Sequence, residues 1–362
     1  MSEKKTILIL ANSSAGLYDF RNELVQALLR EHRVVVSLPD EVKTAQLAQE
    51  GCEVVRTPIN RRGMNPAQDL GLLRAYLALL RHVRPHLVLT YTIKPNVYGG
   101  LACALRGVPY IATVTGLGSA FQRTGPLLWM IRAMYRAGLR RAACVFFQNS
   151  ENKRLFEKER LLRGAGRLVS GSGVSLEKHP YVPYPEGEAV RFLYVGRMMR
   201  EKGIAEYLAA ARALHSETVR FELLGYCDED WQATLDQAQA EGAVTQLGFD
   251  PEVQKYYARC SALVLPTYHE GMSNVLMEAS AAGRPVIASD IPGCREIFEE
   301  GRTGFGFAPR SAESLIEALQ KFLALPRERR AAMGQVAHDK MTREFDRKKV
   351  VSAYMEEIER IL

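Results

Sequence analysis

This chain of 362 residues lacks paired cysteines. Its six cysteines stand singly, at positions 52, 103, 144, 227, 260 and 294. Such spacing fits neither a disulfide framework nor a zinc site. We therefore expect a reducing, cytoplasmic environment.

Long apolar runs are also lacking. No window approaches the roughly 20 uninterrupted apolar residues of a membrane-spanning helix. The opening MSEKKTILIL contains an apolar run too short for a signal-peptide core, and we interpret Ile7 to Leu10 as a first strand. The chain is expected to be soluble or to lie on a membrane surface.

Acidic residues are scarce in one stretch. Ten basic residues and no acidic one lie between Asp69 and Glu151, and residues 1–180 contain 26 Lys and Arg against 13 Asp and Glu. The rest of the chain is net acidic. The N-terminal half should therefore meet an anion, which can be substrate phosphate, an anionic membrane surface or nucleic acid.

Short apolar runs alternate with segments of helical period in both halves, which predicts two α/β domains with parallel sheets. The predicted strands span 7–10, 34–38, 53–57, 87–91, 110–114, 145–148, 191–195, 220–224, 262–265 and 285–289, and predicted helices include 20–30, 66–82 and 126–142. A Pro-rich passage, HPYVPYPEGE, separates the halves. We predict two tandem Rossmann-like, doubly wound domains with a cleft between them, at 1–184 and 185–346, and a C-terminal helix at 347–362 that can pack back on the first domain.

Ligands of such sheets bind at the carboxyl ends of the strands, so the segments that follow strands are the candidate binding sites. After the first strand, ANSSAG (11–16) is either a tight strand-to-helix turn or a place where a ligand approaches backbone N–H groups. It lacks the spacing of a dinucleotide fingerprint. No nicotinamide or flavin cofactor is expected.

A second such segment is VGRMMREKG, residues 195–203. Arg197 and Lys202 lie in a loop that leads into a helix, where two cations can converge on a diphosphate. The alternative is a solvated basic loop.

A third segment, LPTYHEGMSNVLMEAS, places Glu270 in a loop and begins a helix near Ser273 or Asn274, both good N-caps. Glu278 falls on the second turn of that helix. One carboxylate can accept hydrogen bonds from sugar hydroxyls and the other from ribose hydroxyls. The alternative is a pair of ordinary surface acids.

Together, these last two motifs resemble the donor domain of the large retaining glycosyltransferase family 4, which has the two-domain GT-B fold. Glu270 and Glu278 reproduce the paired glutamates of that family in order and spacing. The first half, with NPAQDL, TYTIKPNVYGG and IATVTGLGSAF, resembles bacterial members that add N-acetylgalactosamine to diacetylbacillosaminyl-diphospho-undecaprenol. The resemblance covers nearly the whole chain.

The resemblance implies a donor site and its roles. Arg197 and Lys202 would hold the donor diphosphate, Glu270 would contact the transferred sugar and Glu278 the ribose. Backbone amides would support phosphate and sugar, and a glycine would leave the diphosphate room in the cleft; these residues are Met272, Ser273, Asn274, Val275 and Gly16. Because two cations and a helix N-terminus stabilise a leaving diphosphate, no metal and no other cofactor is expected.

The acceptor side departs from the family pattern. Many members have a histidine where this chain has Thr115, which cannot act as a general base in the same way. A retaining enzyme tolerates this change, because the family is thought to use front-face substitution with the leaving phosphate as proton acceptor. The acceptor candidates are Tyr18, Lys94, Asn96 and Thr115, with Lys94 expected at the acceptor phosphate.

The segment PLLWMIRAMYRAGLRR predicts a helix with Arg132, Arg136 and Arg140 on one face and Trp129 among the apolar residues. Such a helix can lie on an anionic bilayer, which would make the protein peripheral on the inner face of the cell membrane. The alternative is a core-packed helix with a solvated arginine face.

A possible metal motif is the acidic run Asp228, Glu229 and Asp230, which looks like the DxD motif of another glycosyltransferase class. It precedes a helix, so we favour a charge cluster at a helix N-terminus.

The predicted function is transfer of a hexosyl group, an N-acetylhexosamine from a UDP-sugar, to a polyprenyl-diphosphate-linked saccharide, with no nucleic-acid partner. Two alternatives stay open. One is a nucleotide-sugar 2-epimerase of related fold, and the other is a non-catalytic basic module that binds membrane or nucleic acid.

Overall fold

The computed structural model describes residues 4–60, 65–117, 121, 125–164, 166–227 and 230–362. The chain divides into two compact units, one of Met1–Ser172 with Arg347–Leu362 and the other of Gly173–Asp346. Residues 173–184, which the sequence analysis assigns to the first domain, thus belong to the second unit.

The first unit is built on one parallel sheet. Its strands are β1 (Thr6–Leu10), β2 (Arg33–Leu38), β3 (Glu53–Arg56), β4 (Leu87–Tyr91), β5 (Tyr110–Val114), β6 (Cys144–Phe147) and β7 (Arg167–Leu168). The connecting helices are α1 (Ser14–Glu31), α2 (Thr44–Gln49), α3 (Pro66–Val83), α4 (Gly100–Arg106), α5 (Pro126–Leu139) and α6 (Ser150–Lys158). The strand order is β3-β2-β1-β4-β5-β6-β7.

The second unit repeats the arrangement with six parallel strands. They are β8 (Val190–Val195), β9 (Val219–Leu224), β10 (Thr245–Gly248), β11 (Ala262–Leu265), β12 (Val286–Ser289) and β13 (Gly304–Phe307). The helices are α7 (Ile204–Leu214), α8 (Gln232–Ala240), α9 (Gln254–Arg259), α10 (Asn274–Ala281), α11 (Ala312–Leu323) and α12 (Arg327–Lys340). The order is β10-β9-β8-β11-β12-β13. The predicted fold class, two Rossmann-like sheets, is confirmed.

Both faces of each central strand are buried, which explains the unbroken apolar runs in the sequence. Along β1, Ile7 and Ile9 join one core cluster, whereas Leu8 and Leu10 join the cluster on the other face. The residues of β8 alternate in the same way between two clusters. Successive side chains of a strand point to opposite faces, so a sheet covered by helices on both sides needs apolar residues at every position.

The last helix, α13 (Arg347–Ile361), belongs to the first unit. Val350, Tyr354 and Ile358 recur every four residues, lie on one face of the helix and are buried in the same core cluster as the α1 residues Leu17 and Leu24. At the start of α13, the Arg347 guanidinium donates to the Glu23 carboxylate of α1 at 2.8 Å.

Candidate active site

In the second unit, the strand order reverses at β8 and β11. Chain connections leave these two adjacent strands in opposite directions, which opens a crevice at their carboxyl ends, where sheets of this kind bind ligands. The segment 196–203 follows β8 and the segment 266–273 follows β11. These two segments contain five of the predicted donor-site residues, which are Arg197, Lys202, Glu270, Met272 and Ser273.

A glycine brings the two segments together. Gly203 has a φ of +73°, and a Cβ atom there would lie 2.0 Å from the carbonyl oxygen of Pro266. The Tyr268 N–H also donates to the carbonyl oxygen of Glu201 at 2.9 Å. The 3₁₀ turn Arg200–Lys202 is therefore held against the loop after β11.

This approach joins two of the predicted catalytic residues. The Lys202 ammonium donates to Oε1 of Glu270. Their side chains are 26% and 15% exposed, so the pair is shielded but reaches solvent. Arg197 lies in the same segment as Lys202, and its carbonyl oxygen accepts from the Tyr194 hydroxyl at 2.8 Å. Burial raises the pKa of the nearby Cys294 thiol, and the charge of Glu270 adds to that rise.

Helix α10 begins beside this ion pair. Ser273 is its N-cap, and the Ser273 N–H donates to the Gly293 carbonyl oxygen at 2.9 Å. The Ser273 hydroxyl is buried, and no described residue lies in hydrogen-bonding geometry with it. A buried polar group without a partner costs stability, so a hydroxyl at a helix N-terminus is suited to a ligand that completes it. Met272 is buried, whereas Asn274 and Val275 are half-buried.

Glu278 lies on the following turn of α10, with 12% of its side chain exposed. Its Oε2 accepts from the Tyr257 hydroxyl at 3.0 Å, and its Oε1 is 3.9 Å from Nε2 of His179. Burial raises the pKa of Tyr257 well above its usual value, and the Glu278 charge raises it further. Tyr257 therefore stays protonated and acts as the donor in this hydrogen bond.

In the first unit, β1 and β4 form the equivalent reversal of strand order, and Gly16 and Tyr18 follow β1 on α1. The amides of this turn already have partners: Gly16 N–H donates to Oγ of Ser13 at 3.2 Å, and Ser14 N–H donates to Oδ1 of Asp40 at 3.1 Å. These N–H groups are capped by side chains at the start of α1 and are not available to bind a ligand in this structure. Tyr18 is half-buried, and burial raises its pKa, with Glu50 adding to the rise.

Two of the predicted acceptor-binding residues, both after β4, already bind other residues of the first unit. Lys94 donates to Oδ1 of Asp69 at 2.7 Å, and both side chains are largely buried, so its charge is already balanced. Asn96 is fully buried. Its amide nitrogen donates to the Thr113 carbonyl oxygen at 2.8 Å, and its oxygen accepts from the Thr90 hydroxyl at 2.7 Å. The prediction that Asn96 contacts the acceptor is therefore wrong, because no part of its side chain is accessible.

Thr115 is half-buried just beyond β5. The Gln148 amide, oriented to satisfy both of its ends, donates to the Thr115 carbonyl oxygen at 3.1 Å and accepts from the Arg21 guanidinium at 3.1 Å. Arg21 also lies 4.3 Å from the ring centroid of Tyr91. The segment where the family histidine would stand is thus anchored through Gln148 to a cation of α1.

Comparison with known proteins identifies the family. The sequence model "Glycosyl transferase 4-like domain" matches residues 17–169, and "Glycosyl transferases group 1" matches residues 189–324. The chain is a GT-B glycosyltransferase. Each match falls within one of the two Rossmann-like units.

One curated relative matches along the whole glycosyltransferase. It is the N,N'-diacetylbacillosaminyl-diphospho-undecaprenol alpha-1,3-N-acetylgalactosaminyltransferase of Campylobacter jejuni, 24% identical over 98% of this chain and 98% of the relative. The glycogen synthase of Mycobacterium tuberculosis is 31% identical, over 51% of this chain and 46% of the relative.

Solved structures share the fold of the glycosyltransferase at low identity. Anabaena HepE in complex with UDP and glucose aligns with a TM-score of 0.80 at 17% identity, covering 98% of this chain and all of HepE. Sucrose-phosphate synthase of Thermosynechococcus elongatus aligns with a TM-score of 0.79 at 20% identity, covering 99% of this chain and 98% of that one.

The helix predicted to face the membrane, α5, has a divided surface in this glycosyltransferase. Trp129 is 72% exposed and Arg140 is also exposed. Arg132, however, pairs with Glu159 at 3.1 Å, and Arg136 donates to the carbonyl oxygens of Glu159 and Arg160 at 2.9 and 3.2 Å. The Arg132 charge is therefore paired within the unit, whereas Arg136 and Arg140 stay exposed, and the guanidinium of Arg136 also binds the end of α6.

The acidic run and the helices of the glycosyltransferase bear on the predictions about metal and membrane. Asp228 and Glu229 of the DxD-like run lie outside the described residues. Among the residues that are described, no group of three His, Cys, Asp or Glu side chains is arranged to hold a metal ion. Nor does any described helix have the length and apolar character needed to cross a bilayer.

Two residues of the glycosyltransferase that no sequence motif predicts contact the predicted site. Tyr257 on α9 and His179, which precedes the second sheet, both approach Glu278. Neither belongs to a motif, and each is distant from Glu278 along the chain. A lone tyrosine or histidine in a sequence carries no signal of such a contact.

Proposed function

We propose that this glycosyltransferase moves a hexosyl group from a UDP-sugar to a polyprenyl-diphosphate-linked saccharide with retention of configuration, in the synthesis of a bacterial glycan. The transferred group is an N-acetylhexosamine. The relative from C. jejuni is named for this type of acceptor, and HepE was solved with UDP. The observation that carries the proposal is the grouping of Lys202, Glu270 and the buried Ser273 hydroxyl at the N-terminus of α10.

In this proposal, Arg197 and Lys202 bind the donor diphosphate. The leaving diphosphate gains negative charge as the glycosidic bond breaks, and two cations and a helix N-terminus stabilise that charge most in the transition state. The Ser273 hydroxyl gains a phosphate oxygen as its partner. This set supplies enough positive charge for a metal-independent reaction.

The ion pair between Lys202 and Glu270 has a role before the donor arrives. Each charge balances the other in a shielded pocket. When the donor binds, Lys202 turns to the diphosphate and Glu270 accepts hydrogen bonds from the hydroxyls of the sugar. The front-face substitution then delivers the acceptor oxygen to the same face of the anomeric carbon, and a leaving phosphate oxygen takes its proton.

On the acceptor side, we propose that the first unit receives a saccharide carried on a lipid diphosphate. Trp129 and Arg140 on α5 would meet the cytoplasmic face of an anionic membrane. Tyr18 and Thr115 would line the acceptor site. Lys94 would reach the acceptor phosphate only by leaving Asp69, so we assign it a lesser role than the sequence suggests.

Thermal unfolding with nucleotides tests the donor. A ligand that binds only the folded state at 100 times its Kd adds about 2.7 kcal/mol of stability, which corresponds to a rise of several degrees in Tm. We expect UDP and one UDP-N-acetylhexosamine to raise the Tm in EDTA, and GDP-mannose to have no effect. No response to any uridine nucleotide would contradict the proposal, and salt-sensitive DNA binding would then favour a non-catalytic basic module.

Two substitutions test the residue roles. Glu270→Gln and Lys202→Ala should each reduce transfer to a lipid-linked acceptor at least about a hundredfold, since each removes a charge at the reacting centre. Lys321→Ala, which removes an exposed lysine of α11, is the matched control and should transfer at the normal rate. Normal rates in both site variants would refute the donor-site assignment.

A further inference from the structure

Tyr257 is the feature of the second unit that the proposed donor site leaves unexplained. It is fully buried on α9, and its hydroxyl donates to Oε2 of Glu278 at 3.0 Å. Most of its surroundings are apolar, because it packs in a cluster with Leu193, Leu263 and Leu276. A tyrosine hydroxyl in such a place needs a partner, and here the partner is a carboxylate that reaches the solvent.

The backbone of Tyr257 is fixed from the other side. Its carbonyl oxygen accepts from Nε of the buried Arg284 at 2.6 Å. The Cys260 thiol approaches the same oxygen at 3.6 Å. The phenol therefore projects from a fixed point, and its hydroxyl defines one position for a carboxylate oxygen.

The fixed Tyr257 hydroxyl holds the Glu278 carboxylate in one position before a ligand binds. Ordering a glutamate side chain costs about 1.5–2 kcal/mol of rotamer entropy. If the side chain is ordered only when the ligand binds, this cost weakens the binding. A carboxylate has about four lone-pair sites, so accepting one hydrogen bond from Tyr257 leaves capacity for two hydroxyl groups. The vicinal 2′ and 3′ hydroxyls of a ribose form such a pair.

We propose that Tyr257 is a positioning residue for the nucleotide: its hydroxyl orders Glu278 so that the carboxylate selects a nucleoside with both ribose hydroxyls. This inference rests on the proposed function, in which Glu278 binds the donor ribose. Tyr257 itself does not touch the nucleotide. Its effect is on the affinity for ribonucleotides and not on the chemical step.

The test removes one oxygen atom. Tyr257→Phe keeps the ring and its packing, and we expect it to weaken UDP binding about tenfold, the size of effect given by a lost hydrogen bond to a charged group. The KM for the UDP-sugar should rise to a similar degree while kcat changes less than twofold. The matched control is Tyr207→Phe, which also removes a fully buried tyrosine hydroxyl of this unit, one bonded to the carbonyl oxygens of Phe192 and Glu222 at 2.9 Å. A purely structural role would make the two variants alike.

A second probe, 2′,3′-dideoxy-UDP, separates the ribose contact of Glu278 from the positioning role of Tyr257. Calorimetry should show that the wild-type chain prefers UDP to the dideoxy compound and that Tyr257→Phe loses most of this preference. If the wild type discriminates and Tyr257→Phe discriminates equally well, the positioning role is overturned while the ribose site stands. If the wild type binds both compounds equally or binds neither, the donor-site assignment of Glu278 fails and the inference fails with it.

A third variant covers the case in which Tyr257→Phe does not fold. Glu278→Asp keeps the charge and withdraws the carboxylate from the Tyr257 hydroxyl by one methylene group. It should weaken UDP binding about tenfold and leave binding of the dideoxy compound unchanged. Unaltered UDP affinity in Glu278→Asp would overturn the ribose contact of Glu278 and, with it, the inference.

Discussion

Replacing Arg284 gives the most demanding test of how the second unit is held together. Arg284 is fully buried, and the five N–H groups of its guanidinium face six carbonyl oxygens at distances of 2.6 to 3.2 Å, with one N–H of Nη1 shared between two of them. These oxygens belong to three separate segments, which are 182–183, 257–258 and 282–283. One side chain therefore joins the segment before β8 to the ends of α9 and α10.

The stability that Arg284 contributes is the difference between its hydrogen bonds and the cost of burying its charge. Each hydrogen bond to a charged donor contributes about 1.5–3 kcal/mol, but a buried guanidinium also costs several kcal/mol of desolvation. That burial lowers the pKa of Arg284. Arg284→Ala removes the donors and leaves the carbonyl oxygens enclosed, so we expect the free energy of unfolding to fall by about 4 kcal/mol. Arg284→Lys should lower the free energy of unfolding by about 2 kcal/mol. An ammonium has three donors on a single nitrogen in place of five spread over a planar guanidinium, so it cannot reach the carbonyl oxygens of all three segments.

The assay uses the two tryptophans of the chain, Trp129 in the first unit and Trp231 in the second. In a Trp129→Phe background, fluorescence during urea unfolding reports on the second unit alone. Arg295→Ala is the control, since Arg295 is about half exposed and pairs with Asp290 on the surface. It should cost less than about 1 kcal/mol. A similarly small loss for Arg284→Ala, with an unchanged m value, would refute the account of Arg284 as a buried connector.

Two further predictions concern the first unit. A Cβ atom at Gly16 would meet only Ser13, at 3.4 Å, so Gly16→Val should fold normally. It should still reduce transfer more than about tenfold if the donor needs that space. Gly71→Val, at an exposed helix glycine, is the control, and equal activity of the two variants would contradict the assignment of Gly16 to the donor site. Trp129→Ser should weaken sedimentation with anionic vesicles, whereas Phe249→Ser, which removes a 70% exposed aromatic residue of the second unit, should not. Unchanged vesicle binding of Trp129→Ser would leave α5 without a membrane role.

The central strands and the segments after them were predictable because both faces of each sheet are covered. That covering forces apolar residues along β1, β4, β8 and β11, and such runs are visible in a sequence. The position of Lys202 and Glu270 after β8 and β11 then follows from the order of the strands. The sequence could not show that the two side chains meet, since their approach depends on the close contact of Gly203 with Pro266.

Three strands were missed, and for a common reason. β7 has two residues, β10 reads TQLG and β13 reads GFGF. All three are edge strands; β7 is exposed, and β10 and β13 are only partly buried, so they carry little apolar signal. Gly304 in β13 has a packing reason, because a Cβ atom there would lie 2.0 Å from the carbonyl oxygen of Val286. Close packing selected glycine at a position where propensity argues against a strand.

The stretch without acidic residues, between Asp69 and Glu151, shows that the number of charges along a chain does not give the charge of its surface. Lys94 is balanced by Asp69, at the very start of the stretch, and Arg132 by Glu159, beyond its end. Arg136 and Arg141 donate to backbone carbonyl oxygens, where their donors satisfy the exposed ends of helices. Each Lys or Arg near an anionic bilayer contributes about 1 kcal/mol, and carboxylates offset the charges of Lys94 and Arg132, so the surface binds more weakly than ten basic residues suggest. Membrane attachment through α5 would then depend chiefly on the exposed indole of Trp129, with charge in a supporting role. Vesicle binding should for that reason resist added salt better than a purely electrostatic contact would.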